Sequence, residues 1–297
     1  MLTESIDMHT TLKLFEGQGA MTLGDDLNEM ARVFAQMALA ASAPVLRHYA
    51  EGAKARLKPD QSPVTAADEE AEAIIMEALA RTFPGVPLVA EEACARNGVP
   101  RTAMSEAIFV DPLDGTREFL AHNGEFTINI GLVRHGAPVA GAVYAPAFGR
   151  LWWGGAKAFS AHLAPGQPLP QPADCQPLQT RRPATPLVVL ESRSHQTPQA
   201  KAALARLAPA VARPMGSSMK FCLIASGEAD VCLRFGPTME WDTAAGDAIL
   251  RAAGGLTVTA DGAPLTYGKV EAGFRNRGFI AWGDPADMRD LSEFAAD

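Results

Sequence analysis

The chain has 297 residues, 47% of them hydrophobic, enough to bury a large core in one big domain or two of ordinary size. A formal net charge of −8 argues against a nucleic-acid binder, which carries a basic face, but leaves anionic substrates open, because bound divalent cations reverse a local field. No run of about 18 apolar residues occurs, so no membrane span is expected, and Cys94, Cys175, Cys222 and Cys232 lack C-x-x-C or metal-finger spacing and read as buried reduced thiols.

The opening stretch, "MLTESIDMHTTLKLFEGQGAMTLGDD", has neither the basic n-region nor the apolar h-region of a signal peptide. Residues 1–23 read as a poorly ordered extension, or as residues upstream of a start at Met21. A helix is expected over "GDDLNEMARVFAQMALAASAPVL". There Leu27, Met30, Phe34, Met37 and Ala41 recur at helical spacing, and Asp25 or Asp26 offers an N-cap. A second helix follows in "SPVTAADEEAEAIIMEALARTF", closed by Pro84-Gly85. "VPLVAEE" reads as a short strand ending in two glutamates, and "AIFVDPLD" as a strand ending on aspartate. In "EFTINIGLVRHGAPVAGAVYAP", Phe126, Ile128 and Ile130 alternate with Thr127 and Asn129, and His135-Gly136 separates two apolar runs, an antiparallel hairpin signal.

The proline- and glutamine-rich stretch from Ala164 to Pro186 is the best candidate for an interdomain connection. It divides an N-terminal α+β unit, 24–183, from a C-terminal α/β unit, 184–297. In the latter, "LVVLESRSH" and "DVCLRF" read as strands, and "PQAKAALARLAP", "MKFCLIASGEA" and "WDTAAGDAILRAAGG" as helices, with "LTVTADGAPL" a strand entering a turn.

The chemistry concentrates in "VDPLDGTREFL", residues 110–120. If Val110 ends a strand, Asp111 emerges at the carboxyl edge of a sheet, a common place for ligand sites. With Pro112 fixing the backbone, Asp114 can face the same cavity, and the Leu113 carbonyl is free as a third oxygen ligand for a hard cation. Gly115 and Thr116 at a helix N-terminus offer N–H groups to a phosphate oxygen. The stretch fits equally an aspartate-rich turn whose carboxylates cap a helix. Likewise Glu91-Glu92 fits a solvated turn, and Asp68 and Asp242 fit N-caps. Taken together, these carboxylates describe an acidic cluster that needs compensating cations.

"SPVTAAD", "EE", "VDPLDGTREF" with "NGEFTINIGL", and "WDTAAG" resemble, in order, the motifs of the inositol-monophosphatase-like, lithium-sensitive phosphatases, from about Gly24 to about Ile280. "SRSH", "GSSMKFC" and "RFGPTMEWDTAAG" are most similar to 3′(2′),5′-bisphosphate nucleotidases of the bacterial CysQ type. The resemblance implies a layered α-β-α-β-α sandwich with its site between the two halves. It also implies hydrolysis of adenosine 3′,5′-bisphosphate, or its sulfated form, to AMP (or adenosine 5′-phosphosulfate) and phosphate, linked to sulfate assimilation. By resemblance, Glu91, Asp111, the Leu113 carbonyl, Asp114 and Asp242 would hold two to three Mg²⁺ ions, with Asp111 bridging two and Glu91 helping to position a third; Li⁺ would inhibit. Asp68 and Thr116, with Glu91, would orient and deprotonate the attacking water. Gly115, Thr116, His195, Ser217, Lys220, Arg234 and Asp242 would contact the small anionic substrate.

Reduced cysteines lead to the expectation of a cytoplasmic protein, free or peripheral at the inner face of the cell membrane, while the sequence leaves open whether it is a monomer or a homodimer. Two departures stand out. Ala93 follows Glu91-Glu92, and Glu240 adds a carboxylate whose direction the sequence leaves open. The alternatives are an inositol monophosphatase or sugar (bis)phosphatase on the same site, and a nonenzymatic metal or nucleotide sensor.

Overall fold

Helix α1 (Leu27–Glu51) forms where the apolar spacing predicts it. Asp26 caps its first turn by accepting the N–H groups of Asn28 and Glu29, and Met30, Phe34, Met37 and Ala41 are buried. The structure, a computed structural model, describes residues 20–294 apart from 25, 59 and 103. The alternative cap, Asp25, lies outside the described residues. So does most of the expected N-terminal extension; of its last residues, Met21 donates its N–H to Thr82 O at 2.7 Å, and Met21 and Leu23 pack on the core. A two-stranded ladder, β1 (Arg56–Leu57) with β2 (Pro63–Val64), precedes α2 (Ala66–Thr82), which Thr65 and Asp68 cap reciprocally.

Helices α1 and α2 pack together on one face of a seven-stranded sheet. Its strands, in spatial order, are β3 (Leu88–Ala90), β4 (Glu106–Asp114), β5 (Thr127–Arg134), β6 (Ala137–Ala145), β7 (Arg150–Gly154), β8 (Ala158–His162) and β9 (Gln176–Pro177), antiparallel except where β3 meets β4. The two glutamates expected at the end of β3 instead open a helix, α3 (Glu91–Asn97). The β5–β6 hairpin turns through His135 and Gly136, both at positive φ as two-residue hairpin loops require. The predicted alternation in β5 does not appear as an in-and-out pattern. Thr127 through Val133 are all buried, because both faces of the sheet are covered.

A short helix α4 (Thr116–Leu120) follows β4. Beyond β9 come β10 (Leu187–Ser192), α5 (Pro198–Arg206), β11 (Ala210–Met215), α6 (Met219–Ala225), β12 (Val231–Arg234), β13 (Thr238–Met239), α7 (Glu240–Ala252), β14 (Leu256–Val258), β15 (Arg275–Asn276) and β16 (Phe279–Trp282). The second sheet has the order β11-β10-β12-β16-β14, parallel across its first three strands and antiparallel across the rest. Helices α6 and α7 lie between the two sheets, and α5 packs on the far face of the second. Buried apolar side chains accordingly form three clusters: beneath α1 and α2, around α6 and α7, and beneath α5. This is the α-β-α-β-α sandwich that the resemblance implies.

Three of the cysteines are buried and free as expected, whereas Cys94 is only half-buried. Among the described residues no helix is long and apolar enough to cross a membrane.

Candidate active site

Strand β4 carries the key irregularity. Side chains alternate along a strand, so residues three apart should point to opposite faces. In the β4–β5 ladder, however, Asp111 pairs with Asn129 while Asp114 pairs with Thr127. Three steps on one strand match two on the other. That bulge, at Pro112 and Leu113, returns Asp114 to the face Asp111 occupies. Proline suits the position because a bulge residue need not donate to the ladder. Gly115 follows at φ +93°, and a Cβ there would stand 3.0 Å from Glu125 O, so the turn into α4 needs glycine.

Helix α7 delivers the next carboxylate. Its Ala244-Ala245 face lies so close to the first sheet that a Cβ on Gly131 would fall 2.7 Å from Ala245 N, and one on Gly141 would fall 2.6 Å from Ala245 O. Small residues on both sides thus bring the first turn of α7, with Asp242, up to β4. Glu91 arrives from the start of α3.

Glu91, Asp111, Leu113, Asp114, Gly115, Thr116, His195, Ser217, Lys220, Arg234 and Asp242 line one cleft of about 260 Å³. Of the sequence candidates, only Asp68 lies outside its lining. It stands one layer behind, where its Oδ1 accepts from Thr116 Oγ1 at 3.3 Å.

The carboxylates share one pattern. Asp111 Oδ1 accepts from Leu113 N at 3.0 Å, Asp114 Oδ2 from Ser218 N at 2.5 Å and Asp242 Oδ2 from Met239 N at 2.9 Å. Glu91 Oε1 accepts from Lys58 Nζ at 2.6 Å. In each case the second oxygen has no donor among the described residues. Burial, reinforced by the charges of Glu91, Asp114 and Asp242, pushes the Asp111 carboxyl well above the usual carboxylate range. Burial with Asp114 and Glu91 does the same at Asp242, and Asp114 is pushed up to about 6, chiefly by burial. Like charges held this way call for a cation.

The ligands on offer are free carboxylate oxygens and the Leu113 carbonyl, which is not wholly free because it faces the Thr116 hydroxyl at 3.3 Å. All are hard oxygens that suit Mg²⁺ with its mixed shell of protein oxygens and water. Among the described residues no three Asp, Glu, His or Cys side chains close on a single point as a preformed cage. The carboxylates stand apart around the cleft, the arrangement expected of like charges.

Asp68 serves two structures at once. Its Oδ2 accepts from Thr65 N and Oγ1 at 2.8 and 2.7 Å, completing the α2 cap, while Oδ1 shares the Thr116 hydroxyl with the Leu113 carbonyl, each at 3.3 Å. Burial raises its pKa to about 6 against the lowering effect of Thr65. Asp242 likewise caps α7 through Met239 and still lines the cleft, so the capping and the cleft roles coexist in both aspartates.

Basic groups stand across the cleft. Lys220 is buried, its ammonium bonded to Met215 O at 3.4 Å and to Ser217 O. Arg234, expected to need an anionic partner, has neutral ones: Nη1 donates to Ser192 Oγ at 3.0 Å, Nε to Gly236 O at 3.2 Å and Nη2 to Pro237 O at 2.8 Å. His195 is lowered from its usual 6.5 by partial desolvation and by Arg234, Arg117 and Lys220.

Glu240 points away from the cleft. It is fully buried, accepting from the N–H groups of Gly268 and Lys269 at 2.6 and 3.0 Å, with Lys269 Nζ at 2.7 Å. Sequence reasoning missed Lys58, whose ammonium joins Glu91 to Glu92, as well as Arg117 and Ser218. Lys58 lies only ten residues before Asp68 in "LKPDQSPVTAAD" and carried no signal beyond that proximity.

The sequence pattern of the inositol monophosphatase family matches residues 26–281. The chain belongs to the inositol monophosphatase family. Within this family, the 3′(2′),5′-bisphosphate nucleotidase CysQ of Escherichia coli is 41% identical over 222 residues, which cover 75% of this chain and 86% of that protein. The protein of the same name from Buchnera aphidicola is 40% identical over 225 residues, 75% of this chain and 82% of that one. The crystal structure of CysQ from Bacteroides thetaiotaomicron, a bacterial member of the family, matches with a TM-score of 0.73 at 34% identity over 87% of this chain and 98% of that one. An inositol monophosphatase from Anabaena, at 22% identity and a TM-score of 0.67 over 91% of this chain and 94% of that one, shares the fold.

Proposed function

We propose that this chain is a Mg²⁺-dependent phosphomonoesterase that hydrolyses adenosine 3′,5′-bisphosphate, or its sulfated form, to the 5′-nucleotide and phosphate. One observation carries the reading. Four carboxylates from three separate segments meet in one cleft with a donor on one oxygen and none on the other, and a Thr–Asp pair stands beside them. The 41% identity to a nucleotidase selects the substrate class.

Glu91, Asp111, the Leu113 carbonyl, Asp114 and Asp242 would hold two to three ions. Bound Mg²⁺ supplies charge neutralisation and Lewis-acid polarisation at the phosphoryl group. Thr116 Oγ1, held by Asp68, accepts a proton from the attacking water while passing its own to Asp68 Oδ1. With a pKa near 6, Asp68 is mostly ionised at neutral pH and able to take that proton. The water oxygen forms the new P–O bond, and the bond to the ribose 3′-oxygen breaks in line. The departing oxygen takes its proton from solvent at the open side of the cleft. The first-turn N–H groups at Gly115 and Thr116 orient the phosphoryl oxygens, and His195, Ser217, Lys220 and Arg234 shape the opposing wall around the nucleotide. Consumption of adenosine 3′,5′-bisphosphate would serve sulfate assimilation.

A panel of adenosine 3′,5′-bisphosphate, inositol monophosphate and a sugar bisphosphate, assayed with Mg²⁺ and then with added Li⁺, tests the reading. Highest kcat/KM on the adenosine bisphosphate, with inhibition by Li⁺, is expected. Faster turnover of inositol phosphate overturns the substrate assignment, and absence of Mg²⁺-dependent phosphate release overturns the enzymatic one.

A further inference from the structure

A bisphosphate substrate brings a second, non-scissile phosphate, and that group needs a cationic donor not already committed elsewhere. Four basic side chains line the cleft: Arg117, His195, Lys220 and Arg234. The Lys220 ammonium is buried and spends itself on two backbone carbonyls, and the Arg234 guanidinium is tied to three neutral oxygens of its own wall. Partial desolvation and the charges of Arg234, Arg117 and Lys220 disfavour the cationic form of His195. Arg117 differs from all three. It is exposed, and its guanidinium has no hydrogen-bond or ion-pair partner among the described residues.

Its placement is fixed from both sides. Arg117 follows Thr116 on α4 and lines the exposed rim of the same cleft. After Arg234, its charge is the next largest of those that lower His195, so Arg117 and Arg234 both bear on that ring. The facing loop is fastened to the same region. Ser194 donates to Glu118 Oε1 at 2.5 Å, and Arg193 grips Glu125 with Nε and Nη2 at 2.7 and 2.6 Å. Glu125 in turn accepts from Gly216 N at 2.7 Å. The width of the cleft between Arg117 and the His195 wall is therefore braced. A free guanidinium is a planar fork of donors suited to bidentate phosphate contact.

We infer that Arg117 is the specificity-determining residue that engages the non-scissile phosphate, and that it sets the preference for a bisphosphate over a monophosphate. The inference rests on the nucleotidase reading given above. Because the scissile phosphate would lie among the carboxylates, Arg117 acts on binding of the remote group and should appear mainly in KM.

The test compares kcat/KM for adenosine 3′,5′-bisphosphate and adenosine 3′-monophosphate in the wild type, Arg117→Ala, Arg117→Lys and Arg234→Ala. Arg117→Ala should lower the bisphosphate-to-monophosphate ratio by about tenfold or more, through KM, and weaken the salt dependence of KM for the bisphosphate. Arg117→Lys should recover part of the ratio as a point charge without the fork. Arg234→Ala should depress both substrates alike. A ratio unchanged in Arg117→Ala overturns the inference while leaving the nucleotidase reading standing. A wild-type enzyme with no preference for the bisphosphate overturns both.

Discussion

Asp230 and Asp111 are both buried, at 3% and 1% exposure, yet their surroundings have opposite character. Asp230 accepts from Arg181 Nε and Nη2 at 2.8 and 2.9 Å and from the N–H groups of Val188 and Ala184. Burial alone would raise its pKa, but these donors outweigh it and hold the carboxyl below its usual range. Asp111 has one backbone donor and three carboxylate neighbours, and its pKa goes the other way. In their donors, Glu240 and Asp247 resemble Asp230: Glu240 meets two N–H groups and Lys269, while Asp247 meets Arg251 and the Tyr267 hydroxyl, both at 3.0 Å, although burial still raises the Asp247 carboxyl. The count of donors, more than burial, separates the acids that hold the fold together from those that await a ligand.

The sharpest way to break this division is to neutralise one acid of the cleft. Asp111→Asn should cut turnover by on the order of a thousandfold, the equivalent of several kcal/mol of lost charge stabilisation. Its melting temperature without Mg²⁺ should stay level or rise, because one of the mutually repelling buried charges is gone. Thermal melts beside steady-state kinetics would show both. A fall in stability comparable to that of a structural acid would place Asp111 in the other set.

Next in size, Thr116→Val should lower kcat by about a hundredfold with little change in KM, whereas Thr116→Ser should retain most of the activity, since only the hydroxyl carries the proton to Asp68. Asp230→Asn should cost about 2 kcal/mol of stability at neutral pH and leave turnover nearly intact, a modest figure because Arg181 is partly solvated. The folded pKa of Asp230 lies below its ordinary 3.8, so its contribution is full above that value and disappears as pH falls through the depressed one. The gap between wild type and variant in chemical denaturation should therefore close in acid.

The smallest effect belongs to the boundary between the two sets. Lys58 bonds Glu91 at 2.6 Å and Glu92 at 2.5 Å, and burial with the nearby Glu91 raises Glu92 to about 7. Lys58→Met should lower stability without Mg²⁺ by about 1–2 kcal/mol and enlarge the stabilisation that added Mg²⁺ brings, measured as the shift in Tm.

Much of this was legible in the sequence, and the failures have physical causes. Periodicity placed α1, α2 and α7, and the His135-Gly136 turn placed the hairpin. Strand β11 left no signal because four of its six residues are exposed and it contains Pro214, as an edge strand allows. The pattern of Thr127 and Asn129 looked half-solvated, yet both are buried, meeting the Ser218 hydroxyl at 2.9 and 2.7 Å. In the site, "DPLD" announced itself, but its spacing of three only makes sense once the bulge is seen. Arg234 drew attention as a lone charge in an apolar strand, and the nearby oxygens that satisfy it come from a loop and from β10. Arg117 drew none, since a charged residue beside a motif looks like any solvated side chain.

Calorimetric titration of the purified chain with Mg²⁺, repeated on Asp111→Asn, tests the central claim most directly. The account predicts saturable binding of more than one ion to the wild type, and loss of most of that binding in the variant. Absence of measurable Mg²⁺ binding to the wild type, or identical isotherms for the two proteins, would contradict it.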